Sequence, residues 1–149
     1  MATTTQDMTT DRRVVESAWW TLRISFGLVP FLAGLDKFLN LLVFWPRYVA
    51  PVFQHLIPMR PQSLMYAVGI IEMIVGLGVL FSKWTKAFAY IVAVWLVCIA
   101  INLIAGRAFD IAVRDLVMAA SAVTLARLTS VVHAPAAARS RLEHSTATV

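Results

Sequence analysis

Four long runs of apolar residues divide the chain, and polar residues concentrate between these runs and at the two ends. The runs cover about residues 15–42, 63–81, 87–105 and 111–132. A helix needs about 20 predominantly apolar residues to cross a bilayer, so each run predicts one membrane-spanning helix. The pattern therefore predicts an all-α fold, an integral membrane four-helix bundle made of a single domain.

The segment between the first two spans has a different pattern. Residues 44–62 contain four prolines, yet they are rich in Phe, Val, Ile, Leu and Trp. Prolines at this density exclude one straight helix, and so many apolar side chains are unusual for a loop in water. We therefore expect a short proline-rich interfacial or re-entrant segment that caps the bundle.

The two ends of the chain are polar. Residues 1–13 are rich in Thr, Asp and Arg, and residues 133–149 are small and polar, so both are predicted to be disordered tails. The N-terminal stretch lacks the short apolar core and the small-residue cleavage site of a secretory signal. We therefore expect the first span to be retained.

Composition supports the membrane assignment, and charge predicts an orientation. Hydrophobic residues make up 60% and charged residues 14% of the chain, against about 25% charged residues in a soluble domain. The net charge of +5 comes from scattered cations, which argues against a nucleic-acid partner and for the lipid bilayer. Eight Lys and Arg lie on the side of the termini and five on the other side, so both tails are predicted to be cytoplasmic.

Glu72 lies near the middle of the second apolar run and is the only charged residue in that run. A carboxylate at this depth costs about 2.5–3.5 kcal/mol on insertion scales. It must therefore have a partner, take up a proton or face water. Lys37 and Arg114 are the candidate partners, since a buried ion pair would offset much of the cost.

The other polar residues of the spans concentrate in the half of the bundle beneath the cap. They are Asp36 and Lys37 on span one, Asn102 on span three, and Asp110, Arg114 and Asp115 on span four. Arg23 lies in the opposite half, where it is expected to reach the cytoplasmic headgroups.

Helical spacing assigns these residues to faces, because successive residues are 100° apart around a helix. The predicted inward faces are Arg23, Gly27, Pro30, Gly34 and Lys37 on span one; Gly69, Glu72 and Gly76 on span two; Trp95, Cys98 and Asn102 on span three; and Asp110, Arg114, Ser121 and Thr124 on span four. Small residues let neighbouring helices approach closely. The faces therefore predict a bundle with a polar interior beneath the cap.

The chain offers few groups for redox or metal chemistry of its own. Its single cysteine, Cys98, lies in an apolar run and is interpreted as a small buried apolar residue. No spacing of His, Cys and Asp matches a metal site, and no pair of histidines suits haem. We therefore expect no metal, and any redox centre would come from a quinone or from a partner protein.

Three segments carry a family resemblance. They are RISFGLVPFLAGLDKF (23–38), GIIEMIVGLGVLF (69–81) and FDIAVRDLVMAASAVTLA (109–126). The order and spacing of these segments within four predicted spans resemble those of the DoxX-like membrane proteins. The resemblance implies a four-helix bundle in the cytoplasmic (inner) membrane and an association with quinone-linked or thiol and oxidative-stress redox systems. The positions that it carries over are Arg23, Lys37, Glu72, Arg114 and Asp115.

These observations lead to a functional hypothesis with two alternatives. A polar pocket would bind a quinone headgroup or a small anion, with Glu72 and Arg114 as catalytic residues. The binding residues would be Lys37, Asp36, Asn102, Asp115 and Arg23. The first alternative is a non-catalytic membrane anchor or assembly subunit, in which the charges only fix helix packing and the exposed faces bind a partner. The second is a small transporter that works as a homo-oligomer, although the sequence has no obvious inverted repeat.

Overall fold

The computed structural model describes residues 2–134 of the chain, and the side chains of residues 10–134. It contains five α-helices and no strand within that range. The helices are α1 (Ala2–Leu39), α2 (Pro51–Leu56), α3 (Pro61–Phe81), α4 (Thr85–Ala105) and α5 (Phe109–Val132), and a 3₁₀ turn covers Trp45–Tyr48. Four of these, Thr10–Leu39 of α1 together with α3, α4 and α5, are long and apolar enough to cross a membrane. The predicted all-α four-helix membrane bundle is confirmed.

The four long helices form a ring in which neighbours in sequence run antiparallel. The tightest pairs are α1 with α3 and α4 with α5, and contacts between α1 and α5 and between α3 and α4 close the ring. The short links after α3 and after α4 explain why these successive helices are neighbours. Residues 40–60, here called the cap, lie between α1 and α3. They define the cap end of the bundle, and the start of α1 and the end of α5 define the opposite end, here called the terminal end.

The first helix differs most from the sequence prediction. It begins at Ala2, so residues 2–13 are helical and not a disordered tail, because a polar stretch can continue a helix that an apolar stretch anchors. It ends at Leu39 and not at residue 42, since Asn40 adopts a positive φ of 50°. Asn tolerates this left-handed conformation, which stops the helix. Of the predicted C-terminal tail, residues 135–149 lie outside the described residues.

Glycines allow α1 and α3 to approach closely. A Cβ atom at Gly69 would lie 2.6 Å from the carbonyl oxygen of Gly34, and one at Gly76 would lie 2.5 Å from that of Gly27. Neither helix could therefore carry a larger residue at these contacts without moving apart. This packing aligns the α1 face that carries Lys37 with the α3 face that carries Glu72.

Apolar and polar interiors occupy different halves of the bundle. A cluster of buried apolar residues fills the terminal half and includes Trp19, Val79 and Leu125. In this half the indole Nε1–H of Trp19 donates to the hydroxyl of Thr129 at 2.8 Å and joins α1 to α5. The half beneath the cap holds the buried charged residues. Most large apolar side chains on the outside of the helices are exposed, as expected for surfaces that contact lipid.

Candidate functional site

The charge of Glu72 is balanced by Lys37. The Nζ of Lys37 lies 2.5 Å from Oε2 of Glu72, and the two residues are only 4% and 7% exposed. The sequence left Lys37 and Arg114 open as partners, and the close packing of α1 on α3 selects Lys37. Such a pair offsets the cost of burying either charge alone.

The cap covers this ion pair with an aromatic ring. Nζ of Lys37 lies 3.8 Å from the centre of the Trp45 ring, a cation–π contact. The indole Nε1–H of Trp45 donates to Oδ2 of Asp36 at 2.7 Å, and Oδ1 of Asp36 accepts the backbone N–H groups of Leu41 and Leu42. Both oxygens of Asp36 are therefore engaged by the chain itself. These hydrogen bonds allow Asp36 to fix the turn after α1 and to hold the Trp45 ring over Lys37.

A second buried carboxylate lies beside the pair. Asp115 of α5 is 8% exposed and interacts electrostatically with Glu72, Lys37 and Arg114. It makes no hydrogen bond or ion pair with the rest of the described chain. The resemblance pointed to this residue through the Arg-Asp pair at the start of span four. We call Lys37, Glu72 and Asp115 the charged cluster.

Trp95 of α4 faces the cluster. Helical spacing predicts it on the inward face of span three, but as a packing residue and not as a partner of Glu72. Its Nε1–H is buried without a hydrogen-bond partner among the described residues. It nevertheless acts on the Glu72 carboxylate, so it is close to this group but outside hydrogen-bond geometry. An indole Nε1–H is a donor only, and a carboxylate such as that of Glu72 is an acceptor of the kind it needs.

Trp95 also lines an opening on the membrane side of the bundle. Tyr90, Ile91, Val94 and Trp95 form an open, almost wholly apolar groove of about 310 Å³. Because Trp95 contributes to the groove and also acts on Glu72, it separates a lipid-facing surface from the charged cluster. None of the residues of the predicted polar pocket lines this groove.

Arg114 lies outside the cluster. It is exposed and forms no ion pair within the described part of the chain. The predicted inward stripe of α5 is wrong for Asp110, Arg114 and Thr124, which are exposed. The inward face of α5 is shifted by one residue from the predicted stripe, so that Asp115 takes the place of Arg114. Most of its other side chains are small. Its buried members are Ala112, Asp115, Ala119, Ala122, Leu125, Ala126 and Thr129.

Arg23 and Asn102 have structural contacts away from the ion pair. Arg23 lies fourteen residues from Lys37, about 21 Å along the helix, and its guanidinium donates to the carbonyl oxygens of Val79 and Ser82 at the end of α3. Asn102 holds the cap on α4, donating to the carbonyl of Tyr48 at 2.7 Å and accepting the N–H of Ala50 at 3.0 Å. The structure therefore does not bring either residue into the charged cluster.

Two further expectations concern thiol and metal chemistry. Cys98 is exposed on the surface of α4, so its interpretation as a buried residue is wrong. Among residues 10–134, no group of three or more His, Cys, Asp and Glu side chains is close enough to hold a metal ion.

Comparison with known proteins gives one match. The family model described as DoxX matches residues 18–107, which is 90 of the 149 residues. The matched stretch contains Lys37, Glu72 and Trp95 but ends before α5, which carries Asp115. No curated protein and no solved structure matches the chain.

Proposed function

This chain belongs to the DoxX family of membrane proteins, and on that premise we propose that it is the membrane subunit of a quinone-linked redox system. In this proposal the charged cluster exchanges the proton that accompanies quinone reduction or quinol oxidation. The observation that carries it is the burial of the carboxylates of Glu72 and Asp115 together with the ammonium of Lys37 inside a largely apolar bundle.

The charges of the cluster do not balance. Lys37 contributes one positive charge, whereas Glu72 and Asp115 contribute two negative charges when both are ionised. Arg114 also acts on Asp115, but it is exposed and forms no ion pair within the described residues, so it compensates this carboxylate only in part. An uncompensated carboxylate in an apolar interior is so costly that it takes up a proton or finds a cation. One mobile proton on the pair of carboxylates would restore neutrality, and a group that holds such a proton can pass it on.

The groove beside Trp95 supports a lipid-soluble substrate. A quinone travels within the bilayer and could reach the apolar surface of Tyr90, Val94 and Trp95 without crossing water. Reduction of a quinone to a quinol takes up two electrons and two protons. The chain has one cysteine and no cofactor motif, so the electrons would come from the redox centre of a partner protein. The cluster would supply the two protons past Trp95 one after the other, and it would take up a proton from water after each transfer.

Two measurements on protein extracted gently from its own membrane test this function. They are native mass spectrometry and lipid extraction of the same sample. We expect one quinone per chain, lost or weakened in the Glu72→Gln and Asp115→Asn variants. Asp110→Asn is the matched control, because Asp110 is an exposed carboxylate on the same helix. Wild-type protein that retains no quinone, or a quinone that both cluster variants retain in full, would reject the proposal.

A second candidate is the non-catalytic anchor, and the length of α1 favours it. A helix of 38 residues is about 57 Å long, whereas the hydrocarbon core is about 30 Å thick. The polar start of α1 therefore projects well beyond a bilayer, where it could bind a partner. A co-purifying subunit in a sample without quinone would favour this function, and the charged cluster would then act only in packing.

A further inference from the structure

The cap end of the bundle contains an open cleft that is separate from the charged cluster. The cleft has a volume of about 320 Å³ and lies between the cap and the link from α4 to α5. Residues 47–51 form one wall, residues 106–108 form the other, and Leu103 completes the lining. Arg47 and Arg107 both line it, one from each wall.

The positive charge of this cleft has no counter-charge among the described side chains. The guanidinium of Arg47 donates to the hydroxyl of Tyr48 at 2.7 Å and lies 4.8 Å from the centre of the Tyr48 ring, so its position is restrained. Neither Arg47 nor Arg107 forms an ion pair with any carboxylate in residues 10–134. The nearest acidic residue in sequence, Asp110, is exposed and does not pair with them. Two arginines on facing walls therefore leave a place for an anion.

The backbone at Arg107 is unusual. Arg107 adopts a left-handed φ of 62°, which is unfavourable for a residue with a side chain. Glycine would adopt it without strain, yet the neighbouring Gly106 has an ordinary φ of −85°. The chain thus keeps a guanidinium at the position where glycine would fit best. Strain of this kind often accompanies ligand-binding residues.

The level of the cleft in the membrane indicates the kind of anion. It lies where α4 ends at Ala105 and α5 begins at Phe109, both ends of candidate spans. Ile104 and Phe109 lie close in sequence to the 106–108 wall, one on each side of it, and both are exposed. The guanidinium groups are therefore at the depth of lipid headgroups, with apolar surface next to them for acyl chains.

We propose that this cleft binds a phosphate-bearing anion, first of all the phosphodiester headgroup of an acidic phospholipid. Guanidinium groups bind phosphate oxygens in a bidentate manner, and basic pockets between spans are suited to lipid headgroups. The acyl chains would lie along the exposed apolar surface beside Ile104 and Phe109. The site does not depend on the redox function proposed above.

Native mass spectrometry of the full chain in a mild detergent tests this site. Phosphatidylglycerol, phosphatidylcholine and inorganic phosphate are the three probes, and bound probe per chain is measured. We expect the Arg47→Gln and Arg107→Gly variants each to weaken phosphatidylglycerol retention about tenfold, the typical effect of losing a charge-assisted hydrogen bond. Arg60→Gln is the matched control, because Arg60 is an exposed arginine of the cap that does not line the cleft.

The outcomes separate the sources of the anion. Retention of phosphatidylglycerol in the presence of excess inorganic phosphate assigns the site to a lipid, whereas displacement by phosphate assigns it to a free anion. Equal loss in the Arg60→Gln control, or full retention in the Arg47→Gln/Arg107→Gly double variant, would overturn the proposal. Arg107→Gly is informative even if Arg47→Gln misfolds, because glycine suits the backbone there. Glu72→Gln should retain the lipid, which separates this result from the test of the redox function.

Discussion

The ion pair between Lys37 and Glu72 is the contact at which we expect a single substitution to change the free energy of unfolding most. We expect Lys37→Met to lower the free energy of unfolding by about 3–5 kcal/mol, because it leaves a buried carboxylate without its cation. Glu72→Gln should also destabilise the bundle, since it leaves a buried ammonium beside Trp45. Equilibrium unfolding of the protein in mild detergent measures both changes.

The double variant is the control for this prediction. Lys37→Met with Glu72→Gln removes both charges, so its loss should be smaller than the sum of the two single losses. Additive losses would show that the two residues do not depend on each other. They would then contradict the geometry in which Nζ and Oε2 are 2.5 Å apart.

At this scale the sequence indicates which residue needs a partner but not which partner it has. Glu72 stands out because it is one charge in an apolar run. Choosing between Lys37 and Arg114 requires the rotation of each helix about its axis, which composition does not specify. On α5 an offset of one residue, about 100°, exchanges Arg114 for Asp115 at the inward face. Helical spacing placed Trp95 on the inward face of span three, but nothing in the sequence connected it with Glu72, because an aromatic residue in a span is usual in packing.

Among the elements, the contact between α1 and α3 depends on glycine. We expect Gly69→Ala to lower the free energy of unfolding by about 1–3 kcal/mol, because its Cβ would overpack the contact and force the helices apart. The new atom would lie 2.6 Å from the oxygen of Gly34 and 3.2 Å from Cβ of Lys37. Unfolding in the same detergent measures the loss.

Gly106→Ala is the matched control for that substitution. A Cβ at Gly106 would have no neighbour closer than 3.5 Å, and its φ of −85° suits any residue. This variant should be as stable as the wild type. Equal losses in the two variants would mean that the effect comes from helix propensity or the unfolded chain, and not from the packing of α1 on α3.

The cap is a separate element that depends on Asn102. We expect Asn102→Leu to release it from α4, because the amide supplies the hydrogen bonds to Tyr48 and Ala50. Hydrogen exchange at the Ala50 amide should speed up by about tenfold, as the loss of one such bond predicts. Thr124→Val is the control, since that hydroxyl bonds only to its own helix. Unchanged exchange at Ala50 would show that packing alone holds the cap.

Element boundaries follow from the sequence where composition sets them. Helices α3, α4 and α5 begin two residues before the predicted starts at 63, 87 and 111, and they end at the predicted residues 81, 105 and 132. The limits of α1 were less predictable. Its polar start has no apolar signal, and its end depends on Asn40 and on the carboxylate of Asp36, which are details of local geometry.

For the whole molecule, the ring of antiparallel helices places the start of α1 and the end of α5 at the same end of the bundle, and we expect them on one side of a membrane. Single-cysteine labelling in sealed vesicles tests this arrangement. Cys98→Ala removes the one native thiol, and Lys83→Cys and Gln54→Cys then place single probes at exposed positions at opposite ends of the bundle. A membrane-impermeant maleimide should label the Lys83→Cys variant from one side and the Gln54→Cys variant only from the other.

The distribution of cations predicts which side is which. Arg12, Arg13, Lys83 and Lys86 lie near the terminal end, whereas the links at the cap end carry Arg47, Arg60 and Arg107. Because cytoplasmic loops carry the excess of Lys and Arg, labelling of the Lys83→Cys variant should occur from the cytoplasmic face. Labelling from the opposite face would be consistent with the same bundle in the reverse orientation. The cleft that Arg47 and Arg107 line would then lie in the inner leaflet and not in the outer one. Labelling of both variants from the same face would contradict four complete spans, because α3 separates the two positions.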